Sequence, residues 1–135
     1  MIGVLLPQEL RGRILQEARQ ARPNECCGLI EGVRDGRGFE VTELHPARNL
    51  AASPDKFEID PRDQFAAYKA SRAQGRAIIG CYHSHPHGCA EPSAADRAGA
   101  GEENFLWLIA ADEVLKAFVY LRGEFVGADC VTSSA

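Results

Sequence analysis

No run of apolar residues in this chain approaches the roughly 20 needed for a membrane-spanning helix, which argues against a helical membrane protein. No Cys-x-x-Cys occurs either, which excludes a zinc ribbon and a thioredoxin-like redox motif. The five cysteines cannot all pair within one chain, and Cys26 and Cys27 are adjacent. In a reducing compartment they read as small buried hydrophobes. An excess of basic charge is lacking too: the net charge is -4 and the pI near 5.5, which argues against a general nucleic-acid surface. Met1–Pro7 lacks the basic start and longer apolar stretch of a secretory signal, so a cytoplasmic protein is expected. Repeats, low-complexity tracts and linkers are absent as well. The 135 residues therefore read as one domain, 1–135, long enough to bury a core without staples.

Hydrophobic spacing then divides the chain. Pro7 opens a helix in which Leu10, Ile14 and Ala18 recur at intervals of four, and Pro23 stops it after Arg22. Glu25 stands at the mouth of a strand from Cys26 to Val33. Arg34–Gly38 is a turn by composition, and Phe39–Leu44 returns as a second strand. Ala47–Pro54 is a connector. Phe57–Asp60 reads as a short strand leading into a helix that begins at Pro61 and ends at Gly75. A buried strand over Arg76–Tyr82 follows, then a short helix from Ser93 to Gly99 or Gly101. Asn104–Ala111 and Glu113–Leu121 form a hairpin, Gly123–Val131 allows a last strand, and Thr132–Ala135 is expected to fray. The mixture predicts an α/β or α+β (mixed) domain built on a central sheet.

The chemistry concentrates after the strand Arg76–Tyr82. His83 and His85 lie two residues apart at its end, so their side chains point the same way. Two imidazoles about 7 Å apart at their α-carbons by strand rise can swing onto one ion. Pro86 stops the strand, and the loop beyond it brings Ser93 and Asp96. Asp96 can supply an oxygen ligand, leaving a fourth position for water, as in catalytic zinc sites. Ser93-Ala94-Ala95-Asp96 also reads as a capping box, serine at the N-cap and an acid three residues on. If Asp96 turns to a metal, the reciprocal half of that box is expected to be lost. Cys89 is a competing ligand should Asp96 fall short. Hydrolysis by a metal-bound water also needs a proton-transferring carboxylate. Glu91, in the loop, and Glu25, distant but at a strand start, both qualify, and local pattern does not choose between them. Cys81 lies on the histidines' face, deeper in; Tyr82 points the other way, into the core. His87 belongs at the rim, and His45 is an ordinary strand-end residue.

His83-Ser84-His85-Pro86, six intervening residues, Ser93, two more and Asp96, with Glu25 upstream in Pro23-Asn24-Glu25-Cys26-Cys27-Gly28-Leu29-Ile30, resembles the JAMM (MPN+) metallopeptidase motif without a departure. The similarity spans nearly the whole chain. It implies a Zn2+ ion held by His83, His85 and Asp96, with Glu25 as general acid/base and Ser93 stabilising the oxyanion. It further implies a JAMM/MPN-like domain in which helices flank a curved mixed sheet of cytidine-deaminase-like architecture. The deaminase signatures His-x-Glu and Pro-Cys-x-x-Cys are themselves absent. Relatives in this family hydrolyse peptide or isopeptide bonds at the Gly-Gly tails of ubiquitin-like proteins, and short bacterial types resemble enzymes that trim sulfur-carrier proteins. The partner implied is such a ubiquitin-like or sulfur-carrier protein, its tail added as a strand beside an exposed edge, with neither nucleic acid nor membrane. A non-catalytic MPN-type scaffold and a metal-binding sensor are the alternative functions.

Overall fold

The computed structural model of the protein describes residues 2–134. Strand β1 (Gly3–Pro7) runs straight into helix α1 (Gln8–Ala21), with Pro7 at the N-cap, where its missing N–H costs nothing. Leu10, Ile14, Leu15 and Ala18 are the buried stripe of α1, as their spacing predicts. Strands β2 (Cys27–Arg34) and β3 (Gly38–Ala47) follow as an antiparallel pair. Helix α2 (Pro61–Ala73) starts on Asp60, whose carboxylate accepts from the Arg62 backbone N–H at 2.9 Å. Then come β4 (Ala77–Ser84), the short helix α3 (Ala94–Gly99), β5 (Phe105–Ala111), β6 (Val114–Leu121) and β7 (Glu124–Ser133). The β6–β7 turn places Arg122 and Gly123 both at positive φ, 54° and 79°, the backbone a tight hairpin demands.

The strand order is β1-β3-β2-β4-β5-β6-β7, and β1 also pairs with β7, so the pairings close into a ring. β4 and β5 are parallel, β1 is parallel to both of its neighbours, and the remaining pairs are antiparallel. The sheet is therefore mixed, as expected, with its curvature carried to closure. Closure leaves little for an incoming peptide to pair with. Among the described residues, β3 beyond Glu40 is one stretch with a single strand partner.

Three expectations from the sequence are corrected. No strand was assigned before Pro7. β1 forms because β3 and β7 lie on either side of it, information that five residues cannot carry locally. Phe57–Asp60 is not a strand; only an isolated bridge, Asn49 to Ile59, forms there. The tail does not fray at Thr132: β7 continues to Ser133, which is held opposite Pro7, while Ala135 lies outside the described residues.

A bulge sets the two faces of β4. Ile30 pairs with Gly80 and Glu31 with Ile78, leaving Ile79 as the extra residue. Past the bulge, Tyr82 faces the cluster built on α1 with Val4, Leu6, Ile14, Leu106 and Leu108. Cys81 faces the second cluster, with Leu29, Ala67 of α2, Trp107 and Ile109. β5 is buried on both faces and contributes alternate residues to each cluster. Tyr82 is fully buried and donates its hydroxyl to Glu17 Oε1 at 2.7 Å. Its ring lies across Gly28, where a β-carbon would overlap it. Gly28→Ala should therefore cost about 1–3 kcal/mol through overpacking, read as a lower midpoint in urea.

Beside the bulge, β2 aims Glu31 at α2. Its Oε1 accepts from Ser71 Oγ at 2.7 Å and lies 3.0 Å from His45 Nε2, and Arg76 reaches Oε2 at 3.4 Å. His45 is thus part of a buried clamp rather than an ordinary strand end. Burial alone would raise the Glu31 carboxyl, but Ser71, His45 and Arg76 outweigh it and hold the group below the usual carboxylate range. A carboxyl depressed in the folded state adds stability above its unfolded value and loses it as pH falls through its folded one. Glu31→Gln should accordingly melt lower than wild type at neutral pH and decline less steeply below about pH 4.5, as thermal melts across that range would show.

Candidate metal centre

β4, the loop after it and the first turn of α3 converge on one buried point. His83, at the end of β4, is fully buried, with its ring stacked on Phe57 at 4.4 Å and edge-on to Trp107 at 5.7 Å. The parallel neighbour β5 continues to guide the chain past the strand, since His85 N donates to Ala110 O at 2.8 Å. That backbone bond turns the His85 ring back toward His83. On the far side, Ser93 Oγ accepts from Asp96 N at 3.0 Å, and Asp96 Oδ2 accepts from Ser93 N at 2.9 Å. The capping box is complete. Asp96 keeps the reciprocal bond that was expected to be lost and still faces both histidines, because a carboxylate has lone pairs to spare.

His83 Nε2 lies 2.9 Å from Asp96 Oδ1, His85 Nε2 lies 3.1 Å from Asp96 Oδ2, and the two Nε2 atoms are 3.0 Å apart. Their chemistry says what belongs between them. Cys89 O can only accept, so His85 Nδ1, 2.7 Å away, must carry the proton that bonds to it. In the neutral ring Nε2 is then a bare lone pair, pointing at a carboxylate and at a second imidazole. Lone pairs converging in a buried place call for a cation. Two ligands of one tetrahedral ion at 2.0–2.1 Å stand about 3.3–3.4 Å apart, so these atoms need separate by only a few tenths of an ångström. His83, His85 and Asp96 are the group able to hold a metal among the described residues. Cys89 enters through its backbone carbonyl, fixing the His85 tautomer in the manner typical of metal-site histidines.

Glu25 sits immediately before β2. Its neighbour Cys26 is tied to β4, the Cys26 N–H donating to Ser84 Oγ at 2.9 Å and Ser84 N donating to Cys26 O at 3.3 Å. Glu25 is 3% exposed, and its Oε1 has no hydrogen-bond partner among the described residues. It lines a cavity of about 280 Å³ together with His85, His87, Cys89, Asp55 and Ser93. His87 is exposed at this rim, as expected. Glu91 borders the same cavity, but its Oε2 is taken by Lys116 Nζ at 2.7 Å on the surface. Across Asp96 a second cavity, about 300 Å³, is lined by Phe57, Tyr68, Trp107 and Cys81, the last beneath the histidines as predicted.

Burial pushes the Glu25 carboxyl up to about 8, His85 opposing the rise and the carboxylates of Asp96 and Asp55 adding to it. Burial lowers His83 despite Asp96. For His85 burial is outweighed by Asp96 and the Cys89 carbonyl, and the ring is raised. For Asp96 burial is outweighed by both histidines and the Ser93 N–H, and the carboxyl is held low, ready to ligate.

Residues 7–121 match the family described as prokaryotic homologs of the JAB domain. The chain belongs to that family. It is 35% identical over 113 residues, 80% of either chain, to a desampylase of Haloferax volcanii. It is 33% identical over 122 residues to a probable TtuB-protein conjugate cleaving protease of Thermus thermophilus, a match covering 90% of this chain and 76% of that one. Among solved structures, a protein of Desulfitobacterium hafniense determined in solution superimposes with a TM-score of 0.89 at 34% identity, covering 98% of this chain and 94% of its own.

Sequence reasoning missed Ser84, Phe57, Asn49 and Trp107 as parts of this site. Ser84 lies inside the His-x-His motif and so was within reach. The other three bear on the histidines or on Glu25 only through folding. Purified protein should carry a stoichiometric divalent ion by elemental analysis, and Asp96→Ala should lose it while the wild type withstands gel filtration.

Proposed function

We propose that this protein is a zinc-dependent peptidase or isopeptidase that cuts the amide bond after the C-terminal Gly-Gly tail of a ubiquitin-like, sulfur-carrier type protein. The observation carrying this reading is the unpartnered Oε1 of buried Glu25 in a cavity shared with His85 and Ser93. An unsatisfied buried carboxylate is costly and persists where a reaction uses it. The names borne by the archaeal and bacterial relatives support the class of substrate. A single cytoplasmic domain of deaminase-like architecture, 1–135, completes the proposal.

His83 and His85 through Nε2 and Asp96 through its carboxylate are the residues that would hold zinc, and the set suits that ion. Bound there, zinc supplies Lewis acidity and a water pKa lowered from 15.7 to about 7. Glu25 Oε1 takes the proton of the attacking water and returns it to the nitrogen of the leaving amine, since that bond cannot break while the amine is unprotonated. An acceptor whose proton affinity is raised by burial suits both transfers. Ser93 Oγ only accepts in its cap bond, so its hydroxyl proton is free to donate to the oxygen of the scissile carbonyl, where charge develops. Phe57 and Trp107 shield the His83 ring from water. Glu91, engaged by Lys116, is set aside as the base.

Glu25→Ala should retain metal by elemental analysis and lose hydrolysis of a Gly-Gly-extended carrier protein by about 10²–10⁴-fold, with products followed by mass spectrometry. His83→Ala should lose both. A Glu25→Ala variant that cleaves at the wild-type rate would overturn the assignment. Metal binding without cleavage of any such carrier would leave a sensor in its place.

A further inference from the structure

Asn49 makes no contact with the three ligand residues, yet its side chain ties together the two segments that flank them. Its Nδ2 donates to Glu25 O at 3.1 Å and to Lys56 O at 3.3 Å. Its Oδ1 accepts from Glu58 N at 2.9 Å and from Ala51 N at 3.0 Å. Two carbonyls on one side and two N–H groups on the other fix the orientation of the amide and satisfy it fully. Lys56 O and Glu58 N are the backbone groups on either side of Phe57, whose ring stacks on His83. Glu25 is held from both ends, since its own N–H donates to Ser53 O at 3.0 Å from the same loop. The loop accepts strain to do so, with Ala52 at φ 45°, a conformation that non-glycine residues rarely adopt.

We propose that Asn49 is a positioning residue for the reaction: one amide sets the backbone of Glu25 and the Phe57 ring that backs His83, so proton acceptor and ligand shell move as a unit. The inference rests on the reading of Glu25 as general base. It goes beyond that reading because Asn49 touches neither the ligand atoms nor the Glu25 carboxylate and owes its effect to placement. A carboxylate displaced by about 1 Å loses rate out of proportion to the contact removed.

The chain has one tryptophan, Trp107, packed edge-on against Phe57 at 5.9 Å, so its fluorescence reports the Phe57 position without any substrate. Asn49→Ala should retain metal, lower kcat by about 10–100-fold with little change in KM, and red-shift and expose Trp107 to acrylamide. Glu25→Ala should leave that emission unchanged. In the Glu25→Ala background, Asn49→Ala should cost less than it does in the wild type, because part of its effect runs through Glu25. Asn49→Asp has the same shape and keeps the two accepted bonds but faces two carbonyls with a carboxylate. It should show the same pattern, and it decides the matter if the alanine variant melts below assay temperature. Wild-type kcat in both variants, an equal loss in the Glu25→Ala background, or unaltered Trp107 emission would overturn the inference. Should Glu25→Ala itself match wild type, the base assignment fails instead, and Trp107 still reports whether Asn49 holds Phe57.

Discussion

Two imidazole Nε2 atoms and a carboxylate held 2.9–3.1 Å from one another in a buried pocket form the constraint on which the rest of the structure depends. In the tautomers that leave both Nε2 atoms free to ligate, nothing in the interactions of His83, His85 and Asp96 favours their approach without a cation between them. The fold must therefore impose it. Each residue is fixed by bonds that do not involve the others: His83 by the β4–β5 ladder and two aromatic neighbours, His85 by Cys89 O and Ala110 O, and Asp96 by its capping box with Ser93. The arrangement is preorganised, and its cost is spread over the strand pairings that surround it.

The same logic explains why the site lies where β4 stops. Parallel pairing of β4 with β5 puts two strand ends side by side, and β2 approaches β4 antiparallel, so the start of β2 arrives at the same place. Glu25 needs no motif adjacency to reach the histidines. The two bonds between Cys26 and Ser84 bring it there. Ser84 joins the first hairpin to β4 from inside the motif, its hydroxyl accepting from the chain beside Glu25 rather than facing the two histidines.

Beyond the site, polar groups are buried in sets rather than singly. Glu31 gathers Ser71, His45 and Arg76, Asp60 is met by Arg62 and Arg48, and Tyr82 is met by Glu17. The Glu31 and Tyr82 sets join a helix to the sheet, and the Asp60 set joins α2 to the loop after β3. Glu25 Oε1 and His83 Nδ1 are the buried side-chain atoms without such a partner among the described residues, and both lie at the metal centre.

What the sequence determined by itself was everything carried by local spacing. The stripe of α1, the strand before His83, the serine cap of α3 and the spacing of His83, His85, Ser93 and Asp96 were legible because side-chain periodicity and capping chemistry act within a few residues, whereas Glu25 was singled out only by the resemblance to the JAMM motif. The tertiary structure alone decided what depends on partners distant in the chain. β1 is a strand because β3 and β7 flank it, Thr132 and Ser133 are ordered because Pro7 lies opposite, and Phe57–Asp60 is a loop because Asn49 takes its backbone groups. Glu25 and Glu91, alike in the residues themselves, differ in burial and in the lysine that engages Glu91. Neither is visible along the chain, since desolvation is a property of everything packed around a group and not of its neighbours in sequence.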